Sequence, residues 1–389
     1  MQHYDYIFAG TGAAALSLLC ALQEAGHHNK KILLIDQDSK RQNDRTWCYW
    51  TDAPSPYRHI VHKVWDKISI QTDAHHLHLP IAPYQYQMLR GLDFYNWARK
   101  LLADNPQIHW LQANISHLEN TTHGATVIAD GQTYHAQWVF NSLHTSKHLP
   151  NTNHIRWFQH FKGWFIRTQK PVFDSLTATF MDFRMPQAGE VRFMYILPTS
   201  STEALVEFTI FGREVMPQEA YIPHLIAYIT QKLGLTSQEY TIEEQEFGVI
   251  PMTTQPFPAK TGSFVINIGS AGGCTKASTG FTFHNIQKHT EQLAQSLLNF
   301  GHPLHVSPKP ARFALYDHVL LHVLDKERMQ GSLIFERLFK KHPVQRILRF
   351  LADESTLWDD LRIMMSVPSL PFMKAVRDVY VQRASHFLH

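Results

Sequence analysis

The chain has 389 residues and no run of 18 consecutive apolar ones, which excludes a simple membrane-crossing helix. Cysteine is scarce. Cys20, Cys48 and Cys274 are odd in number and form no CxxC. No disulfide framework is expected, and the compartment expected is the reducing cytoplasm. Charge of one sign is also lacking: 36 Lys and Arg stand against 33 Asp and Glu, a formal net charge of +3. Nothing there suits a nucleic-acid partner. Asp5, Gly10 and Gly12 interrupt the N-terminal apolar run, so no secretory signal is expected. Repeats and low-complexity linkers are absent. Histidine is abundant, with 26 residues. The cluster His75, His76 and His78 lacks a second group of ligands at zinc-like spacing. An alternating strand puts only His76 and His78 on one face, so a solvated edge strand and no metal are expected.

What is present begins at the N-terminus. Residues 4–9 read as a short apolar strand. Gly10-Thr-Gly12-Ala-Ala-Ala15 then opens an apolar helix over 13–25, with Gly26 as its C-cap, and a second strand over 32–36 ends in Asp36. Strand, glycine turn, helix, strand and acid in that order are the dinucleotide-binding opening. Gly10 permits the tight turn, Gly12 lets the backbone approach a pyrophosphate, and Ala15 allows close helix–strand packing. The helix start offers N–H groups to phosphate, and Asp36 can accept from a ribose hydroxyl.

A second glycine-rich segment returns far along the chain. A strand over 263–268 enters Gly269-Ser-Ala-Gly272-Gly-Cys-Thr-Lys-Ala-Ser-Thr-Gly280, and a helix follows over 282–299. Gly269, Gly272 and Gly280 permit backbone approach to a large planar ligand. The alternative is an ordinary connecting loop.

Between these segments a helix is expected over 86–104, with strands over 108–118, 125–129 and 138–141. Residues 155–255 are strand-rich, with a helix over 218–233. A hairpin pairs 191–197 with 204–211. Alternation puts Ala204, Val206, Phe208 and Ile210 on one face and Leu205, Glu207, Thr209 and Phe211 on the other. Both faces are apolar, so Glu207 is a candidate buried acid. Desolvation would keep it protonated near neutral pH. A structural salt bridge, or a Glu facing solvent on an edge strand, fits the same pattern.

Four segments carry a resemblance to the bacterial lycopene cyclase family, and the match runs nearly end to end. They are 43–50 (NDRTWCYW), 204–209 (ALVEFT), 244–251 (EQEFGVIP) and 277–282 (ASTGFT). The resemblance implies an α/β fold of the FAD-binding aromatic-hydroxylase and geranylgeranyl-reductase type, with an antiparallel substrate sheet and a helical C-terminal region. It implies non-covalent FAD used in reduced form, NAD(P)H as reductant, and redox-neutral cyclisation of lycopene through a monocyclic intermediate. Glu207 falls on the family's essential acid. Plant members have two adjacent acids there; Phe208 replaces the second, so no backup acid is expected beside Glu207. Arg45 falls in the cofactor-side motif. Trp47, Trp50, Leu205, Thr209 and Phe281 are candidates for the substrate wall, although aromatics also fill cores. Ser270, Lys276 and the segment 139–142 depart from the residues common in relatives. Two other readings are a flavin-dependent monooxygenase or prenyl reductase on an apolar substrate, and a non-catalytic carotenoid-binding protein at the membrane surface.

The expected organisation is a dinucleotide-binding unit over 1–75, its continuation over 76–154, the β-rich substrate domain over 155–255, a return to the cofactor domain over 256–305, and helices over 306–389. Residues 333–342 and 344–351 are amphipathic and basic. They suit either peripheral attachment to an anionic membrane or helices packed on the body.

Overall fold

The computed structural model describes residues 2–143 and 154–386. Its first sheet is built around β1 (Gln2–Ala9), with β2 (Ile32–Asp36) and β8 (Ile108–Gln112) on one side. On the other side lie β11 (Gln132–Asn141), β18 (Val265–Asn267) and the edge strand β17 (Lys260–Thr261). From β18 to β8 all pairings are parallel, while β9 (Ile115–Asn120) and β10 (Ala125–Ala129) extend β11 antiparallel. Helix α1 (Ala13–Glu24) is buried along most of its length, and α4 (Phe283–Phe300) packs beside it. That packing explains why α1 carries almost no polar residues.

The second sheet has seven strands in the order β16-β12-β15-β14-β13-β5-β6. They are β5 (Lys67–Gln71), β6 (His76–Pro80), β12 (Arg156–Thr168), β13 (Thr177–Asp182), β14 (Val191–Pro198), β15 (Glu203–Gly212) and β16 (Tyr240–Thr253). One face is closed by α3 (Ile222–Leu233), whose Leu225 and Ile229 pack with Val206, Phe208 and Ile210. The other face meets a small sheet, β3 (Thr46–Thr51), β7 (Gln85–Arg90) and β4 (Lys63–Trp65), and the C-terminal helices. These are α5 (Ala311–Asp325), α6 (Gly331–Lys341), α7 (Val344–Leu351), α8 (Leu357–Ser366) and α9 (Ser369–His386). The alternation read for residues 204–211 is the one observed: Leu205 and Phe211 enter this second core, opposite Val206 and Phe208.

Three expectations need correction. The helix expected over 86–104 is a strand for its first turn and a half. Residues 85–90 pair with both β3 and β4, burying Tyr86 and Met88, and α2 (Gly91–Leu102) starts only at Gly91. Tertiary pairing overrides local propensity there. The strand expected over 108–118 breaks at Ala113 and Asn114 into β8 and β9. The amphipathic stretch 333–351 buries its apolar face: Ile334, Phe335, Leu338, Ile347 and Leu348 all enter the core. Three of its five basic groups are engaged by the body, Arg346 and Arg349 on Asp359 and Lys341 on the Ser366 carbonyl. His76 and His78 lie on the exposed side of the edge strand β6, and among the described residues no three potential ligands converge.

Candidate active site

Two arrangements concentrate chemistry. The first is a cleft of about 480 Å³ at the C-terminal ends of β1 and β2, lined by Gly10, Gly12, Asp36, Arg45, Trp47, Gly269, Ser270 and Thr282 among others. Helices α1 and α4 both begin here, and neither has a side-chain cap on its N-terminal N–H groups. Two uncapped helix starts converging on one cleft give the donor set that a pyrophosphate needs. Gly10 has φ +88°, and a Cβ there would lie 2.4 Å from Ser142 Oγ, so both conformation and space require glycine. The Ser142 hydroxyl is in turn held on the Ala9 carbonyl.

Asp36 is fixed by residues that the sequence reading did not single out. Its Oδ2 accepts from the Thr11 N–H at 2.7 Å and the Thr11 hydroxyl at 3.1 Å, and its Oδ1 accepts from the Asp38 N–H. Oδ1, with one donor, keeps a lone pair free for a further donor. Ala15 is buried in the packing of α1. Arg45 is exposed at the cleft rim and donates to the Asp44 carbonyl. Gly269 has φ +60°, and a Cβ there would lie 3.1 Å from Ala14 Cβ, so the second glycine loop packs closely on the start of α1. Gly280 sits against Gln159 of β12, so the same loop bridges the cleft and the second sheet. The residues present therefore fit the pyrophosphate and ribose of a dinucleotide.

Lys276, in this loop, is fully buried between Asp317 of α5 at 2.8 Å and Asp353 at 2.5 Å. Burial opposes its charge, but the two carboxylates outweigh it and keep the ammonium protonated. Gly272 lines a separate, larger cavity of about 1270 Å³ that runs past Phe257, Leu293 and Phe313. Neither Glu207 nor Glu246 borders it, so its size does not make it the site of acid chemistry.

The second arrangement is a row of side chains across the second sheet. Register places Glu246 (β16), Gly163 (β12), Glu207 (β15) and Tyr195 (β14) side by side. Residues paired in register share a face. A Cβ on Gly163 would lie 2.8 Å from Leu205 Cδ1, 3.1 Å from Glu246 Cγ and 3.3 Å from Glu246 Oε1. The missing side chain is what allows two carboxyl groups from non-adjacent strands to meet. They are hydrogen-bonded to each other. Glu207 is buried, and Thr209, itself fully buried, donates its hydroxyl to Glu207 Oε1 at 2.7 Å. Thr46 donates to Glu246 Oε2 at 2.6 Å.

Burial pushes the Glu207 carboxyl well above its usual range, and the Glu246 charge and hydrogen bond push it further; the Thr209 hydroxyl opposes them. Burial raises Glu246 too, but the hydrogen bonds from Glu207 and Thr46 and the charges of Arg90 and Arg45 pull it back. Both carboxyls are thus raised, Glu207 the more strongly, so a proton retained by the pair is favoured on the Glu207 side. The expectation that Glu207 has no second acid beside it is thus overturned. The neighbour lies across a strand, 39 positions downstream rather than next in sequence. The available signals were the alternating Glu244 and Glu246 and a lone glycine inside the aromatic strand at 156–168.

Around the pair the groups are neutral and aromatic. Burial, then the Glu207 charge, raises the Tyr195 phenol far above its usual range. Phe180 stands edge-on to Tyr195 at 5.9 Å and stacks on Phe281 at 5.9 Å. Trp50 meets Phe281 edge-on at 4.8 Å. Trp50, Phe281, Leu205 and Thr209 are thus gathered on the acid's side of the molecule. Trp47 is not. It stacks on Phe283 at 5.4 Å and lines the cleft, because three steps along a strand turn a side chain to the opposite face from Trp50.

Residues 5–377 match the family model described as lycopene cyclase protein. A lycopene beta-cyclase from Paracoccus sp. strain N81106 is 24% identical over 96% of this chain and 96% of its own length. Among solved structures, a geranylgeranyl bacteriochlorophyll reductase-like protein from Thermoplasma acidophilum aligns over 98% of this chain and 99% of its own, with TM-score 0.61 and 12% identity. A flavin-dependent brominase aligns over 98% and 100%, with TM-score 0.61 and 11% identity. At those identities the likeness is one of fold, and the fold is the mixed α/β type expected from the sequence.

Proposed function

The chain belongs to the lycopene cyclase family, and from that premise we propose that it closes the ends of lycopene into β-ionone rings, as a redox-neutral isomerase acting through a monocyclic intermediate. The observation that carries the reading is the buried Glu207–Glu246 pair beside an aromatic wall, in which burial and the neighbouring carboxyl raise Glu207. In this reading FAD binds non-covalently in the cleft, held by Gly10, Gly12, Asp36, Arg45, Gly269 and the starts of α1 and α4; Gly272, which lines the separate cavity, and Gly280, packed on Gln159, shape the loop rather than touch the cofactor. Reduced by NAD(P)H, the flavin would supply an electron-rich ring face toward developing positive charge.

The protein's own part is acid–base work. Glu207 gives its proton to C2 of a terminal C1=C2 bond, leaving a tertiary cation at C1. The C5=C6 electron pair attacks C1 and closes the ring, and the proton at C6 returns to the carboxyl pair. One proton enters and one leaves, and no electron is transferred. Glu246 serves twice: its charge keeps the proton on Glu207 before reaction, and it stands ready to accept afterwards. The faces of Trp50, Phe180 and Phe281 stabilise the cation, and their bulk excludes the water that would trap it as an alcohol.

The test is pigment analysis of lycopene-accumulating cells expressing the wild-type chain or Glu207→Gln, with purified protein assayed for NAD(P)H consumed per product. Bicyclic product from wild type alone, without stoichiometric NAD(P)H, is the expected result. Product formed in step with NAD(P)H would replace the reading with a monooxygenase or prenyl reductase.

A further inference from the structure

Nearly half of the large apolar side chains exposed among the described residues belong to two consecutive helices, α8 and α9. On α8 they include Leu357, Trp358, Leu361 and Met365; on α9, Leu370 and Met373. Trp358 is 74% exposed and Met365 is 77% exposed. These helices are not frayed ends. Ile363, Ala375 and Val379 on their inner sides are buried in the same core cluster as Leu205 and Tyr195, and Val367 and Phe372 pack against it. One side of each helix is thus anchored while the other presents apolar groups to the surroundings, which folded chains rarely do over a contiguous area without a partner.

The charges on this surface are of one kind. Arg362, Lys374 and Arg377 are exposed on the same two helices. Their acids are turned inward: Asp359 is buried against Arg346 and Arg349, and Asp360 against Arg312. Asp378 is held by Arg328 and Arg377. Glu354, just before α8, is engaged by His284 and Lys288. Among the described residues, what remains unpaired on this surface is apolar or, at Arg362 and Lys374, cationic, and no described helix is long and apolar enough to cross a membrane.

We propose that the outer face of α8 and α9 docks on the headgroup region of an anionic lipid bilayer, with Trp358, Leu361, Met365 and Met373 inserted and Arg362 and Lys374 on lipid phosphates. Apolar insertion combined with basic groups on one helical surface is the physical requirement for lying in that interface. The surface differs from the basic stretch 333–351, whose apolar side is already buried. It also stands independently of the reaction, since binding is read without any substrate.

The experiment is flotation of the full-length protein with vesicles of phosphatidylcholine containing phosphatidylglycerol, or of phosphatidylcholine alone, compared with Trp358→Glu/Met365→Glu and with Arg362→Gln/Lys374→Gln. Wild type is expected to float with the anionic vesicles. The apolar double variant should lose about tenfold or more of its partition while keeping its melting temperature. The charge variant should lose its preference for anionic over neutral vesicles. Wild type that stays unbound, or an apolar variant that binds as wild type does, overturns the proposal. A dimer in lipid-free size exclusion that the apolar variant dissociates also overturns it, because the face is then covered by a second copy of the chain.

Discussion

The cleft at Gly10 and the carboxyl row at Glu207 are built from opposite materials. The cleft's anion-binding part uses backbone: the glycines and helix-start N–H groups of two segments, 10–14 and 269–282, with Asp36 beside them. The row uses three side chains from β16, β15 and β14, brought together by register across the glycine of β12. Backbone donors are placed by the local turn and tolerate much sequence change. A shared proton depends on burial, a missing Cβ and two hydroxyl donors at once. The first suits recognition of a cofactor common to many proteins, and the second suits one reaction.

The sharpest way to break this comparison is to remove the proton without disturbing shape. Glu207→Gln keeps the volume and should cut turnover by about 10²- to 10⁴-fold, read as ring product per minute, with flavin content unchanged. If flavin is lost as well, the two regions are not separable. Next comes the tie between them: Lys276→Ala removes the cation shared by Asp317 and Asp353, leaving only the Ser278 hydroxyl on one and the half-exposed Lys309 at 3.8 Å from the other, and should cost about 3 kcal/mol in urea unfolding. Gly10→Ala should cost about 1–3 kcal/mol through its positive φ and the clash with Ser142. It should lower flavin retention while leaving the alkaline limb of the activity profile where it was.

The smallest expected effect concerns pH. Glu207 is raised, and activity needs its proton, so activity is full at low pH and is lost as pH rises through its folded value. Between the ordinary carboxyl range and that value the folded chain binds a proton that the unfolded chain has released, so stability also falls as pH rises. Glu246→Gln removes the anion that raises Glu207, and the alkaline limb should move about one pH unit lower. An unmoved limb would mean that Glu246 does not share the proton.

The same contrast decides what could be read from the sequence. The cleft was legible because Gly10, Gly12 and Asp36 sit at fixed offsets along β1, α1 and β2, and chain spacing becomes spatial spacing directly. The buried side of β15 was legible because a period of two sorted Leu205, Glu207 and Thr209 from Val206 and Phe208. Glu246 was not, because its nearness to Glu207 depends on β12 lying between β16 and β15 and on Gly163 standing at that rung. Neither topology nor register is written in either strand alone. Residues 85–90 were misread for the same reason: their strand character comes from partners on both sides, β3 and β4, and not from their own pattern.

The Lys276 anchor has a consequence for modularity. The loop between the two regions is fastened by an ammonium whose counter-charges come from α5 and from the turn after α7. A chain cut after Phe300 would keep every glycine of the cleft and every strand of both sheets, yet would strand a buried cation with no anion. The helical C-terminal third is thus no appendage that could be trimmed or exchanged on its own. Any transplant of this cleft into another scaffold has to carry Asp317 and Asp353 with it.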